Sequence, residues 1–293
     1  MKDLITIAEA LHGRVRIHAA CTTELVNQAR IAHHCMPTST AALGRTLTAT
    51  AIMASDLKSK NEVITATING HGPAGTVLAQ ADGEGNVRGF IGDPNLYLVK
   101  ENGHLDVGKA VGINGNLTIT RDMGLKDTFS GVSQLQSGEI GDDFAYYFAV
   151  SEQTPSVVGV GVLVDTDGSV KAAGGLIYQL LPGADEETIS YCEHVAATQK
   201  PVSELIESGQ DLETIIHTYF PDANILSSKD VRWHCGCNRE KFADSIKTLH
   251  NEQIEEMIQD GKGAEIICQF CNTRYFFDTD ELKELLKEKT CGK

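Results

Sequence analysis

No window of this 293-residue chain approaches the run of about 18 apolar residues that a membrane-spanning helix needs. The opening stretch, MKDLITIAEALHGRVRI, lacks a charged region followed by an apolar run, so no secretory signal is expected. A surplus of basic charge is missing too: 25 Lys and Arg face 40 Asp and Glu, a formal net charge of −15. Binding to a phosphate backbone draws most of its affinity from Lys and Arg. Neither a nucleic acid nor an anionic membrane surface is therefore expected as a partner. Catalytic signatures are also lacking. Scattered Ser, His and Asp cannot be assembled into a triad from sequence, and the zinc-deaminase pattern, H-x-E with P-C-x-x-C, does not occur. The expectation is a cytoplasmic protein that is not an enzyme.

What is present fits a globular chain of one to three domains, with 41% apolar and 6% aromatic residues. Its charge is uneven. Residues 1–178 hold 13 basic and 18 acidic residues, 179–230 hold 2 and 10, and 231–293 hold 10 and 12. These shifts set three expected parts: an α+β domain over 1–178, an acidic helical linker over 179–230, and a small metal-binding domain over 231–293.

The first part mixes periods. VRIHAAC (15–21) reads as a strand, and TTELVNQARIAHH (22–34) as a helix behind a Thr cap. TSTAALGRTLTATAIMASDL (38–57) reads as a longer helix behind Pro37, with small residues that permit close packing. EVITATING, GTVLAQAD, NVRGFIGD, GNLTITRDM and SVVGVGVLV read as strands in hairpin order, which gives α+β and not a doubly wound sheet. GHGPAG (70–75) satisfies G-x-G-x-x-G, but a dinucleotide site needs a helix to open at the third glycine. Strand alternation follows instead, so a hairpin turn is expected.

The linker is a run of short amphipathic helices: ETISYCEHVAA, PVSELIES and DLETIIHTYF, punctuated by Gly183, Pro201, Gly209 and Pro221. Helices this short depend on packing against something else. The plain expectation is a helical connection. The sharper one is a metastable segment that folds only when docked and, once released, exposes Leu205, Ile206, Leu212, Ile215, Ile216, Tyr219 and Phe220 while its acidic residues keep it dissolved.

The last part has few large apolar residues for about sixty positions, and a unit that small usually needs a metal or a disulfide. It also holds four of the eight cysteines in two tight pairs, Cys235 with Cys237 and Cys268 with Cys271, separated by thirty residues. In a reducing compartment paired thiols read first as metal ligands or redox groups. Four thiolates suit a structural Zn2+, one per chain. His234 is adjacent and is expected to be a bystander. The same four sulfurs are oxidisable, and each pair is close enough in sequence to close a local disulfide, although an i,i+2 bridge is strained. Cys21, Cys35, Cys192 and Cys291 have no paired spacing and read as small core residues or surface thiols, with Cys291 near a fraying end.

The C-x-C followed at thirty residues by C-x-x-C, together with GEIGDDFAYYFAVSEQTPSVVGVGVLV (138–164), GNLTITRDMG (115–124) and AAGGLIYQLLPGA (172–184), resembles the redox-regulated 33 kDa chaperonin family, the bacterial heat-shock holdases switched on by oxidation. The resemblance spans nearly the whole chain. It implies that Cys235, Cys237, Cys268 and Cys271 are the zinc thiolates of an inactive reduced form, and that oxidation pairs Cys235 with Cys237 and Cys268 with Cys271. It further implies a middle region that becomes flexible and binds unfolding proteins without ATP, and an active homodimer. The other four cysteines lie outside that pattern and leave side disulfides open, most plausibly through Cys291.

Two rivals remain on sequence grounds. A zinc ribbon attached to an α+β body would bind a protein or a nucleic acid without switching, and charge counts against the latter. A thiol oxidoreductase built on CQFC would need a thioredoxin-like βαβ pattern, whereas the strand-like TRYFF follows.

Overall fold

The computed structural model describes residues 1–125 and 127–290 together with the backbone of Cys291. The chain divides into two compact units, Met1–His234 and Cys235–Lys293.

The first unit begins β1 (Leu4–Ala10), β2 (Val15–Cys21), α1 (Thr23–His33) and α2 (Pro37–Ala54). A meander follows: β3 (Val63–Asn69), β4 (Val77–Asp82), β5 (Asn86–Ile91), α3 (Val107–Val111), β6 (Asn116–Asp122) and β7 (Phe129–Gln134). Next come α4 (Gly141–Val150), β8 (Ser156–Val164), β9 (Val170–Leu180), α5 (Glu186–Thr198), α6 (Val202–Glu207), α7 (Leu212–Tyr219), β10 (Asn224–Asp230) and β11 (Arg232–Trp233). The strands form a five-stranded sheet, β10-β1-β2-β9-β8, and a six-stranded sheet, β11-β5-β4-β3-β6-β7. The expected α+β class holds.

α2 is the centre of this unit. It buries 16 of its 18 residues, because it packs against strands of both sheets. A helix apolar on all sides belongs in such a core. Its buried Thr46, Thr48 and Thr50 hydroxyls donate to the carbonyls of Ala42, Gly44 and Thr46, so none of these three hydroxyls is stranded. Gly44 is required by closeness: a Cβ there would sit 2.5 Å from Val26 Cγ1 and 2.8 Å from Val162 Cγ2. Both neighbours are β-branched and stiff. Gly44→Ala should gain about 1 kcal/mol of helix propensity and lose about 1–3 kcal/mol to overpacking. The expected result is a net loss, read as a lower urea midpoint at unchanged slope; a higher midpoint would show that the two valines yield freely.

The six-stranded sheet alternates buried and half-buried residues along β3, β4 and β5, as a sheet with one face on the core should. The segment at residues 70–75 joins β3 to β4, which pair antiparallel, and no helix opens at Gly75. Added Cβ atoms at Gly70 and Gly72 would fall 2.1 Å from Gly112 O and 2.4 Å from Ala110 O, so those glycines serve backbone packing. The hairpin reading holds and the nucleotide one does not.

The five-stranded sheet is covered on both faces, by α1 and α2 on one and by α5, α6 and α7 on the other. Residues 179–230 are therefore part of the first unit in this structure. β9 runs two residues past 178, and residues 224–230 form β10, antiparallel to β1, where the sequence pattern marks helices only. Pairing with β1 makes NILSSKD a strand; its own propensity does not.

The second unit holds α8 (Arg239–Thr248), α9 (Asn251–Asp260), a hairpin of β12 (Ala264–Ile267) and β13 (Arg274–Phe277), and α10 (Thr279–Cys291). Its fully buried apolar interior is small: Ile246, Ile254, Phe277 and Leu282, besides Cys268.

Candidate metal centre and the docked helices

Cys235 and Cys237 lie on the extended stretch that leads into α8. That helix is capped by Asn238, whose side chain accepts from the Lys241 N–H at 2.8 Å. Lys241 Nζ reaches back to Gly236 O at 2.7 Å and holds the stretch between the two thiols. Cys268 and Cys271 sit in the turn of the β12–β13 hairpin. The Cys268 N–H donates to Thr273 O at 2.9 Å, and the Asn272 N–H closes the turn on Cys268 O at 2.7 Å. Asn272 has φ of +55°, a left-handed conformation that asparagine adopts more readily than most residues.

These two pieces of chain bring all four sulfurs within 4.8 Å of one another. Cys235 Sγ is 3.7 Å from Cys268 Sγ, and Cys237 Sγ is 3.4 Å from Cys271 Sγ. A tetrahedral ion with bonds of about 2.3 Å separates its sulfurs by about 3.8 Å. The cluster could hold a metal ion, and four protein donors would leave it no open position for a substrate. His234 is exposed and outside the cluster.

The sulfurs are not equivalent. Burial pushes the Cys268 thiol up to about 12 and raises Cys237 as well. Burial also works against ionising Cys271, but hydrogen bonds from Thr273 and from Cys237 and Cys268 outweigh it and bring that thiol down to about 7. Tyr275 Oη is 3.2 Å from Cys237 Sγ, and Thr273 Oγ1 is 3.2 Å from Cys271 Sγ. Neither residue was singled out from sequence. The available signal was the spacing in C-x-T-x-Y, which places both beside the turn.

The frame around the cluster is mostly polar. Arg239 Nη2 donates to Phe276 O at 2.7 Å and to both Glu281 oxygens at 2.6 and 2.7 Å, and its guanidinium lies 4.4 Å over the Phe277 ring. The Phe242 and Tyr275 rings meet at a tilt, 4.8 Å between centroids.

Cys21, Cys35 and Cys192 are buried in the first unit. Burial raises all three thiols, Cys35 to about 12 and Cys192 to about 11. The Cys291 side chain lies outside the described residues, and with it any side disulfide through that residue.

The apolar residues of the 179–230 segment face the sheet. Leu205, Ile206, Leu212, Ile215, Ile216 and Phe220 are buried among residues of β1, β2 and β9, with Tyr219 half-buried beside them. Phe220 meets Tyr178 edge-on at 5.2 Å and lies 5.9 Å from Tyr191. Asp185 and Asp211 cap α5 and α7, accepting from the Thr188 and Thr214 N–H groups. None of these candidate client contacts except part of Tyr219 is available while the helices are docked.

Comparison with known proteins gives a consistent result. A family model described as Hsp33 protein matches residues 3–278. A 33 kDa chaperonin of Staphylococcus haemolyticus is 46% identical over 287 residues, covering 97% of each chain. Another 33 kDa chaperonin, from Staphylococcus epidermidis, is 45% identical over 288 residues, covering 97% of this chain and 98% of its own. The crystal structure of a 33 kDa chaperonin from Thermotoga maritima superposes with a TM-score of 0.92 at 36% identity, over 99% of this chain and 100% of that one.

Proposed function

The chain belongs to the Hsp33 family, a chaperone class, and from that premise we propose that it is a cytoplasmic, ATP-independent holdase, inactive when reduced and zinc-bound and activated by oxidation. The observation that carries this is the closed set of four sulfurs in a unit whose apolar interior is only a handful of residues.

Cys235, Cys237, Cys268 and Cys271 would hold one Zn2+. When bound, the ion supplies four bonds that tie the α8 approach to the β12–β13 turn, the cross-link a small core lacks. Oxidation pairs Cys235 with Cys237 and Cys268 with Cys271. Each pair, counted as two thiols, gives two electrons and two protons to one peroxide, which leaves as two waters while one S–S bond forms. A disulfide offers no thiolate, so the ligand set is lost and the second unit unfolds. The close sulfur approaches in the folded cluster run across the pairs, 235 to 268 and 237 to 271. The local pairing is what the family resemblance implies, and it needs the crossed sulfurs to separate, which opening of the unit allows. Disulfide formation thus goes with unfolding of the unit.

The 179–230 helices then leave the five-stranded sheet and present their apolar stripe to unfolding clients, and the active form is a homodimer. The test is aggregation of a heat-denatured client followed by light scattering. We expect protection from peroxide-treated protein under mild heat, none from reduced protein, and loss of protection after dithiothreitol. Peptide mapping should find both local disulfides and one zinc released per chain. Equal protection by the reduced, zinc-loaded protein would sink the switch; no protection in any state would leave a plain zinc module.

A further inference from the structure

β7 ends the six-stranded sheet, beside β6 and with no strand on its other side among the described residues. The Leu135 N–H donates to Gly115 O, and β6 and β7 pair antiparallel with Gln134 opposite Asn116 and Val132 opposite Thr118. Backbone hydrogen-bonding direction alternates along an antiparallel strand. Phe129, Gly131 and Ser133 therefore turn their N–H and C=O groups to β6, and Ser130, Val132 and Gln134 turn theirs outward. All three outward residues are exposed.

Gln136 Nε2 donates to the Gln134 C=O at 3.0 Å, and the remaining outward groups form an open row, a template for another strand that proteins commonly blunt with Lys, Pro, a bulge or brevity. Of the other ends in the first unit, two follow that practice and β8 is packed by helices. β11 has two residues, β10 carries Lys229 and Asp230, and α4 and α6 pack against β8. β7 has no such device. From Thr128 to Gly138 there is no charged residue and no proline, and the β6–β7 register has no shift.

Exposed large apolar side chains lie on this strand and on the helix beside it. Phe129 and Val132 are 61% and 56% exposed. α4 packs against β7, and its Tyr146 and Val150, one turn apart, are 39% and 49% exposed. The ion pair of Arg121 with Glu152 brings the end of α4 to the cross-strand partner of Phe129.

We propose that the β7 edge docks an extended, uncharged apolar segment of an unfolding polypeptide, which adds to the six-stranded sheet as a further strand. Charge selects this occupant: a molecule of net charge −15 offers here a strand with no charged side chain. The outward backbone row selects an extended chain whose own backbone groups are unpaired, and an unfolding polypeptide offers these along its length. The choice of occupant rests on the holdase reading above. The edge differs from the 179–230 stripe in being open while those helices are docked. A single added strand is a weak hold, so the edge alone catches a client without stopping its aggregation, and release of the helices completes the capture.

The test is amide exchange by NMR on the full chain, reduced and oxidised, with a reduced, carboxymethylated protein held unfolded as the probe. Exchange at Ser130, Val132 and Gln134 should slow in both redox states. Two variants accompany it: Val132→Pro removes an outward N–H and no ladder bond, and Val132→Lys leaves the backbone intact and charges the edge. Each should weaken probe binding by the oxidised chain by about fivefold or more, with zinc release and disulfide formation unchanged. Wild-type affinity in both variants, or unchanged exchange at the three amides, would overturn the proposal. So would exchange protection that is present without probe, falls on dilution and tracks dimer content, because a second copy of the chain would then be the occupant. Slowed exchange in a chain whose oxidised form protects no client would sink the holdase reading and leave the edge standing.

Discussion

A Cys271→Ser chain should lose its zinc and the fold of its second unit together, while the first unit keeps its structure. Serine oxygen is a hard donor and stays protonated near neutrality, so the site keeps three thiolates of the four that a closed structural zinc site uses. Hydrogen bonds also bring the Cys271 thiol down to about 7, so its loss removes a ligand that protons oppose little. Structural zinc supplies ~10–16 kcal/mol of apparent folding energy in small units, and whole domains are stable by only ~5–15 kcal/mol. With Ile246, Ile254, Phe277 and Leu282 as its fully buried large apolar side chains, the unit has no reserve to cover that loss. The first unit has its own core and shares no residue with the cluster. We expect zinc analysis to fall from one per chain to near zero, and NMR resonances of Ile246, Ile254 and Phe277 to collapse to random-coil positions. Cys192→Ser, which alters a buried thiol of the first unit, should retain full zinc. Unchanged occupancy and affinity in Cys271→Ser would remove that cysteine from the ligand set.

Sequence made the cluster legible because metal coordination is local in chemistry. Two close thiol pairs announce four ligands whatever the fold around them, and the structure gathers those sulfurs. Thr273 and Tyr275 were not legible, since their importance comes only from a hairpin turn that points them at the thiols. The same division runs through the fold. β3, β4 and β5 alternate visibly because one face of their sheet meets the core. β9 does not alternate: it is covered on both faces, and its VKAAGGLIYQL is rich in small residues of weak strand preference. β7 and β10 are polar edge strands whose conformation is imposed by β6 and β1. α4 was hidden because its aromatic run, FAYYF, suits either a strand or a buried helix. In the 179–230 segment the three short helices are legible and β10 is not, and the helices' burial depends on β1 and β2, far earlier in the chain, as well as on the adjacent β9.

That burial leads to the second large effect: Ile216→Asp should protect a client in the reduced, zinc-loaded state, without peroxide. Ile216 is fully buried on α7, facing the strands β1 and β2 with Leu212, Ile215 and Phe220. Removing its apolar contacts costs about 1.5–3 kcal/mol, and a carboxylate placed there would be charged, buried and without a partner, which costs several kcal/mol more unless the helix lifts away. Lifting is the easier course. α7 has eight residues, too few to persist alone, and α6 and α5 are tied to it through Lys200 N–H to Tyr219 Oη and Tyr191 Oη to Tyr219 O. A change of about 5.5 kcal/mol is enough to turn a 1:99 equilibrium into 99:1, so one such substitution can invert the docked and released populations. Phe220→Ala, expected to cost about 3–5 kcal/mol, should act the same way without adding charge. Zinc content should remain one per chain in both variants, since the ligands lie in the other unit. Amide exchange should rise across 185–220 and stay slow in α2, whose packing is untouched. Light scattering with a heat-denatured client would then show protection by both reduced variants and none by the reduced wild type. Rapid exchange in 185–220 without any protection would mean that exposing these helices does not create the client site, and would remove Leu205, Ile206, Leu212, Ile215, Ile216, Tyr219 and Phe220 from it.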